Sequence, residues 1–266
     1  MLSLFEFDYM RRAFAAGAFI AVAAACVGVT MTLKRLSMVG DALSHASLAG
    51  VACGLAFGFD PVLGAGVACV AAALGVEAVR RRLPDRAELS IAIIMSAGIG
   101  LAGALSGYAK SAVGFTAFLF GSIVAVTPRE LAIVAAVSAA AVAACALLRK
   151  ELFLLAMDER AARLAGVNAG AANLVFTVVA AAVVSVASRT AGALVVSSLM
   201  AVPAACSLLV ARSYRQTMLA AVGFSALSAF AGLAASYYAN LRPGSAIVLA
   251  GVACFVLLAA AKRIRG

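Results

Sequence analysis

The chain of 266 residues is 65% hydrophobic and only 12% charged, with a mean hydropathy of +1.11. One soluble core could not enclose that much apolar surface, so lipid must solvate most of it. The net charge of +10, from 21 Lys and Arg against 11 Asp and Glu, belongs to basic loops flanking apolar spans. It does not mark a nucleic-acid surface, since none of the clusters interleaves aromatics.

The opening residues, MLSLFEFDYMRR, carry Glu6 and Asp8. They lack the basic start and small-residue cleavage site of a signal peptide, so they read as an amphipathic lead-in to the first span. Stretches near the roughly 20 apolar residues that cross the hydrocarbon layer follow at 13–33, 38–59, 61–79, 88–105, 131–148, 169–188, 191–211, 217–237 and 244–261. The expectation is an all-α fold, a single polytopic transmembrane helix bundle over residues 1–266 with about nine spans, or eight if the first is misplaced. Glycines at 50, 54 and 58, and at 103 and 107, form small-xxx-small stripes that read as helix packing. Six cysteines, at 26, 53, 69, 145, 206 and 254, lie in or beside apolar stretches without C-x-x-C spacing. They read as small core residues rather than a disulfide framework or a thiolate metal cluster.

Basic residues fall in alternate loops: Lys34 and Arg35; Arg80, Arg81, Arg82 and Arg86; Arg149, Lys150, Arg160 and Arg163; Arg212 and Arg215; Lys262, Arg263 and Arg265. The positive-inside rule places those loops, and the C-terminus, in the cytoplasm. An odd number of spans leaves Arg11 and Arg12 outside, the one conflict in the pattern. The segment 114–126, GFTAFLFGSIVAV, is too short for a full crossing and is expected to be half-length or re-entrant, lined by protein. Between the fifth and sixth spans lies the longest polar stretch, 151–168. Within it MDERAARLAG has acids first, bases a turn later and Gly166 as a helix end, the pattern of a short cytoplasmic helix lying along the membrane. Later, Pro203 is expected to kink its span and LRPGSAIVL to turn into the last one.

Between Arg35 and Asp60 the only Asp, Glu, His, Lys or Arg residues are Asp41 and His45, and His45 is the sole histidine of the chain. An aspartate at membrane depth costs at least ~2.5 kcal/mol on insertion scales, so it faces a cavity or a partner. At i and i+4 the carboxylate and imidazole share one helix face, with Ser44 and Met38 near its edges. Such a pair is half of a tetrahedral ligand set for a transition metal, and a two-fold dimer with this helix near its axis would complete it. Two other readings stand beside that one: a helix-packing Asp–His hydrogen bond, and a proton relay in a secondary metal transporter. No nucleophile elbow accompanies Ser44, so hydrolysis is not expected. No G-x-x-x-x-G-K-[ST] loop occurs in the sequence, so any ATP coupling must come from another chain.

Five blocks, TLKRLSMVGDALSHASLAGVA at 32–52, FLFGSIVAVTPREL at 118–131, MDERAARLAGVN at 157–168, RTAGALVVSSLMAVPAA at 189–205 and PGSAIVL at 243–249, resemble, in order and spacing, the permease subunits of metal-uptake ABC importers of the zinc and manganese class. The resemblance implies a type II ABC importer-like bundle, with Asp41 and His45 as translocation ligands. It implies a coupling helix around Met157–Asn168, including Met157, Asp158, Glu159, Arg163 and Gly166, that docks on an ABC ATPase subunit. It also implies a second copy of the chain, an extracytoplasmic metal-binding protein that delivers the ion, and a place in the cell membrane. The substrate is then a divalent metal, with no permanently bound cofactor and no enzymatic activity in this chain. The FGSI and TPREL variants are nearer to zinc importers, with manganese and iron as alternatives.

Overall fold

The computed structural model describes residues 8–82, 87–107, 118, 119, 121, 126–239 and 241–265. Among them every regular element is a helix. In chain order these are α1 (Asp8–Leu33), α2 (Val39–Phe57), α3 (Pro61–Arg82), α4 (Ala87–Ser106), α5 (Pro128–Leu147), α6 (Arg149–Met157), α7 (Glu159–Leu164), α8 (Ala169–Ala187), a π-helical turn (Ser188–Gly192), α9 (Ala193–Val210), α10 (Tyr214–Ala239) and α11 (Pro243–Arg265). Eight of these segments, α8 being counted with its π-turn, are long and apolar enough to span a bilayer, and a shorter apolar helix, Val195–Val210, stands for the ninth. All nine expected spans therefore have a helix. The re-entrant expectation for 114–126 falls mostly outside the described residues.

Two boundaries differ from the hydropathy reading. The first helix already includes Asp8, the first described residue, and so precedes the expected start at 13: Met10 and Ala13 pack inside the bundle, and Asp8 engages Arg11 and Arg12 within the helix. The expected turn between 188 and 191 is no loop. The π-turn carries α8 onward, Thr190 Oγ1 donates to the carbonyls of Val186 and Ala187, and Gly192 at φ +100° redirects the chain into α9.

The polar stretch after α5 also holds more helix than its composition suggested. Leu148 ends α5, and α6 forms because Leu152 and Leu155, three apart, are buried on one side. α7 then begins on an Asp158 cap whose carboxylate accepts from the amides of Arg160 and Ala161. It ends at Gly166, φ +83°, with the Val167 amide bonded to the Ala162 carbonyl.

α1 and α2 lie inside the bundle, with 67% and 72% of their apolar windows buried, against 22% for α4, α5 and α11. α1 packs on α5, α9 and α10, while α2 packs on α3, α4 and α9. Backbones approach closely where glycines permit it: a Cβ on Gly28 would stand 2.1 Å from the Met200 carbonyl oxygen, and one on Gly50 2.2 Å from that of Gly64. Of the two expected packing stripes, Gly50 and Gly54 serve this way, whereas Gly58 closes α2 in the left-handed region and Gly103 and Gly107 have no described residue within 4 Å of a Cβ position.

Candidate functional site

The turn into α2 is tight. Arg35 takes φ 58°, and the Leu36 amide reaches back to the Met31 carbonyl at 2.8 Å. α2 starts four residues later, so Asp41 stands on its first turn, near the helix end and not in mid-span. There the positive end of the helix dipole favours a carboxylate. His45 follows one turn on.

From Val39 to Ala52 every residue of α2 is buried except Asp41 and His45. Ser44, expected at the edge of their stripe, is buried and donates to the Gly40 carbonyl at 2.9 Å. Three neighbours hold the α2 backbone around the pair. From α3 the Cys69 thiol donates to the Leu43 carbonyl at 3.3 Å. From α4, Gly98 lies so close that a Cβ there would be 3.0 Å from the Ala46 amide nitrogen and 3.1 Å from the His45 carbonyl carbon. From α9, Met200 and Ser197 face Gly40. Carboxylate and imidazole thus share a line on the remaining side. Among the described residues no hydrogen bond or ion pair engages either, so the simple helix-packing Asp–His bond is absent. Nor, among the described residues, does any group of three or more His, Cys, Asp or Glu gather where a metal could be held within one chain.

At the end of the bundle where α7 lies, the five residues expected to couple with an ATPase sit together. Met157 is 60% exposed, Asp158 caps α7, Glu159 accepts from Arg163 Nη2 at 2.6 Å, and Gly166 ends the helix. Leu164, 91% exposed, adds a second apolar side chain to that surface. Burial alone would raise the Glu159 carboxyl, but Arg163 and Arg80 outweigh it and hold it below the usual carboxylate range. Beside α7 opens a cleft of about 1430 Å³, bordered by Lys34, Arg80, Arg81, Glu88, Glu159 and Arg163.

Lys34, between α1 and α2, donates to Asn173 Oδ1 at 2.7 Å and lies over the Phe176 ring. Burial, with Arg80 adding to it and Glu159 and Glu77 opposing, lowers its pKa from 10.5 to about 8. The folded state therefore sheds this proton first. Stability is lowest below about 8, where Lys34 is charged in both states, and rises with pH toward 10.5. Lys34→Met is expected to abolish that rise, as read by thermal unfolding in detergent at about pH 7 and about pH 10.

Sequence reasoning passed over three pairs. Glu77 lies within the third expected span, and its position one turn before Arg80 and Arg81 was a readable signal. Asn173, an amide in an apolar run, pointed more weakly to Lys34. The ion pair of Arg189 with Glu130, whose Glu also completes a capping box with Thr127, joins residues 59 apart and had no local signature.

Residues 6–262 match the family model described as the ABC 3 transport family. The chain belongs to the ABC 3 transport family. Among relatives of this ABC 3 protein is a "Probable metal transport system membrane protein" of Treponema pallidum, 35% identical over 257 residues, covering 97% of each chain. A "Manganese transport system membrane protein MntC" of Listeria monocytogenes is 28% identical, covering 96% of this chain and 91% of its own. Of solved structures, PsaBC from Streptococcus pneumoniae in complex with Fab superposes with a TM-score of 0.86 at 28% identity, over 97% of this chain and 95% of that one. As a member of the ABC 3 family with this bundle, the protein is a multi-pass permease component of ABC transport.

Proposed function

We propose that this chain is the permease subunit of an ABC importer that moves a divalent transition-metal ion into the cytoplasm, with ATP hydrolysed by a separate subunit. The observation that carries the reading is the line of Asp41 and His45, the two open positions on the otherwise buried Val39–Ala52 face of α2. Charge-bearing side chains on an otherwise apolar, buried helix are kept where a solute passes. Two relatives named for metal or manganese transport support the substrate class. A carboxylate with an imidazole suits manganese, iron(II) and zinc alike.

One chain offers two ligands. A second copy across a two-fold axis brings two more and completes an N2O2 set. The ATPase subunit docks on the exposed face of α7 and its flanks, Met157 to Gly166, and an extracytoplasmic binding protein feeds the opposite end. The positive-inside rule puts the end bearing Lys34, Arg80, α7 and the C-terminus in the cytoplasm of a cell-membrane protein.

Vesicles holding the permease with its ATPase partner and the binding protein, supplied with ATP on the cytoplasmic face, test this reading with manganese, iron(II) and zinc in turn. ATP-dependent uptake of at least one metal, undiminished by a protonophore, is expected. Uptake that continues without ATP and stops when the proton gradient collapses would make the chain a proton-coupled secondary transporter and end the proposal.

A further inference from the structure

The Glu77 carboxylate, near the end of α3, has a side chain only 9% exposed. It accepts Arg80 Nε at 3.0 Å and Nη2 at 3.2 Å, and Arg81 Nε at 3.0 Å. The remaining Arg80 nitrogen, Nη1, donates to Glu159 Oε2 at 3.3 Å, on α7 and 79 residues further along the chain. A single planar guanidinium, 19% exposed, therefore bridges two carboxylates on two helices. Lysine, a point charge, could not serve both with fixed geometry. Ala162 seats α7 on α6 and α8 through a small apolar cluster, but among the described residues the ion pair joining α7 to α3 is that of Arg80.

α3 is in turn fixed to α2 at two levels. One is the backbone contact of Gly64 with Gly50. The other is the Cys69 thiol on the Leu43 carbonyl, between Asp41 and His45. Cys69 and Arg80 lie on one continuous helix, about 16 Å apart at 1.5 Å per residue. Packed helices transmit displacement because interiors of this density do not compress.

We propose that Arg80 is a positioning residue that fastens α7 to α3, and through α3 to the turn of α2 carrying Asp41 and His45. It rests on the reading of α7 as the ATPase docking element. When α7 is displaced, the guanidinium carries α3 with it, and the ligand-bearing turn follows. Without the bridge the ATPase still turns over but its strokes no longer move the ion site.

The test measures manganese ions taken up per ATP hydrolysed, in proteoliposomes holding the permease, its ATPase and the binding protein. For Arg80→Gln the ratio is expected to fall by about tenfold or more, a coupling loss of ordinary size, while basal ATP hydrolysis and copurification with the ATPase persist. Arg81→Gln, which removes another Glu77 partner but spares the bridge, is expected to keep the wild-type ratio. A wild-type ratio in Arg80→Gln, or an equal loss in Arg81→Gln, overturns the inference; the latter would assign the effect to the charge on Glu77. If Arg80→Gln does not assemble, Arg80→Lys replaces it: a loss of that size supports the bridge and a wild-type ratio overturns it. A wild-type complex that moves no metal with ATP instead sinks the functional reading, so the two failures are distinct.

Discussion

Replacing Asp41 or His45 by Ala is expected to lower ATP-driven metal uptake by about two orders of magnitude or more, since even residues that merely orient a ligand cost 10–100-fold. The protein should survive both changes. Neither side chain is buried, and among the described residues neither holds a hydrogen bond or ion pair. Neighbouring helices grip α2 by its backbone, at Leu43, Ala46 and Gly40. Folding therefore asks little of the two side chains, no more than the helix-dipole contribution of Asp41, and transport asks for both. Asp41→Asn is the sharper variant, because it keeps volume and an oxygen while losing the charge that offsets a divalent ion. Uptake measured beside copurification with the ATPase checks this, and wild-type uptake in either Ala variant would remove the site assignment.

Gly50→Ala is expected to destabilise the bundle by about 3 kcal/mol, the upper range for overpacking. Its Cβ would lie 2.2 Å from the Gly64 carbonyl oxygen and 2.5 Å from the carbonyl carbon. Those are backbone atoms on a facing helix, so no rotamer change relieves the clash. α2 and α3 must part, and the contacts around Asp41 and His45 loosen with them. Gly103→Ala is the matched control, because among the described residues nothing lies within 4 Å of its Cβ position. Its folded monomer is expected to melt as wild type does, or slightly higher, since alanine is the better helix former. The comparison is made by heating detergent-solubilised protein and following the monodisperse fraction. Equal melting of the two variants would show that the Gly50 crossing is not tight.

Length and hydropathy fixed much of this molecule in advance. Each run of about 20 apolar residues became a helix because lipid satisfies no backbone polar group, so any crossing segment must bond to itself. Asp41 and His45 stood out for the same reason: charge-bearing groups in an apolar run are costly and few. The short helix α7 and its end at Gly166 were legible because caps and a left-handed glycine act over a few neighbouring residues.

Sequence by itself thus determined what is local: membrane residence, the helices, the i, i+4 line on α2 and the α7 cap. Only the tertiary structure decided which faces are inside and which distant charges meet. Lipid tails and a protein interior are equally apolar, so a uniformly hydrophobic helix carries no moment telling its buried face from its lipid face. That is why the Gly50 stripe packs while the Gly103 stripe does not, on the same spacing. Arg80 with Glu159, and Lys34 with Asn173, join residues 79 and 139 apart, separations at which only the folded chain brings donor and acceptor together.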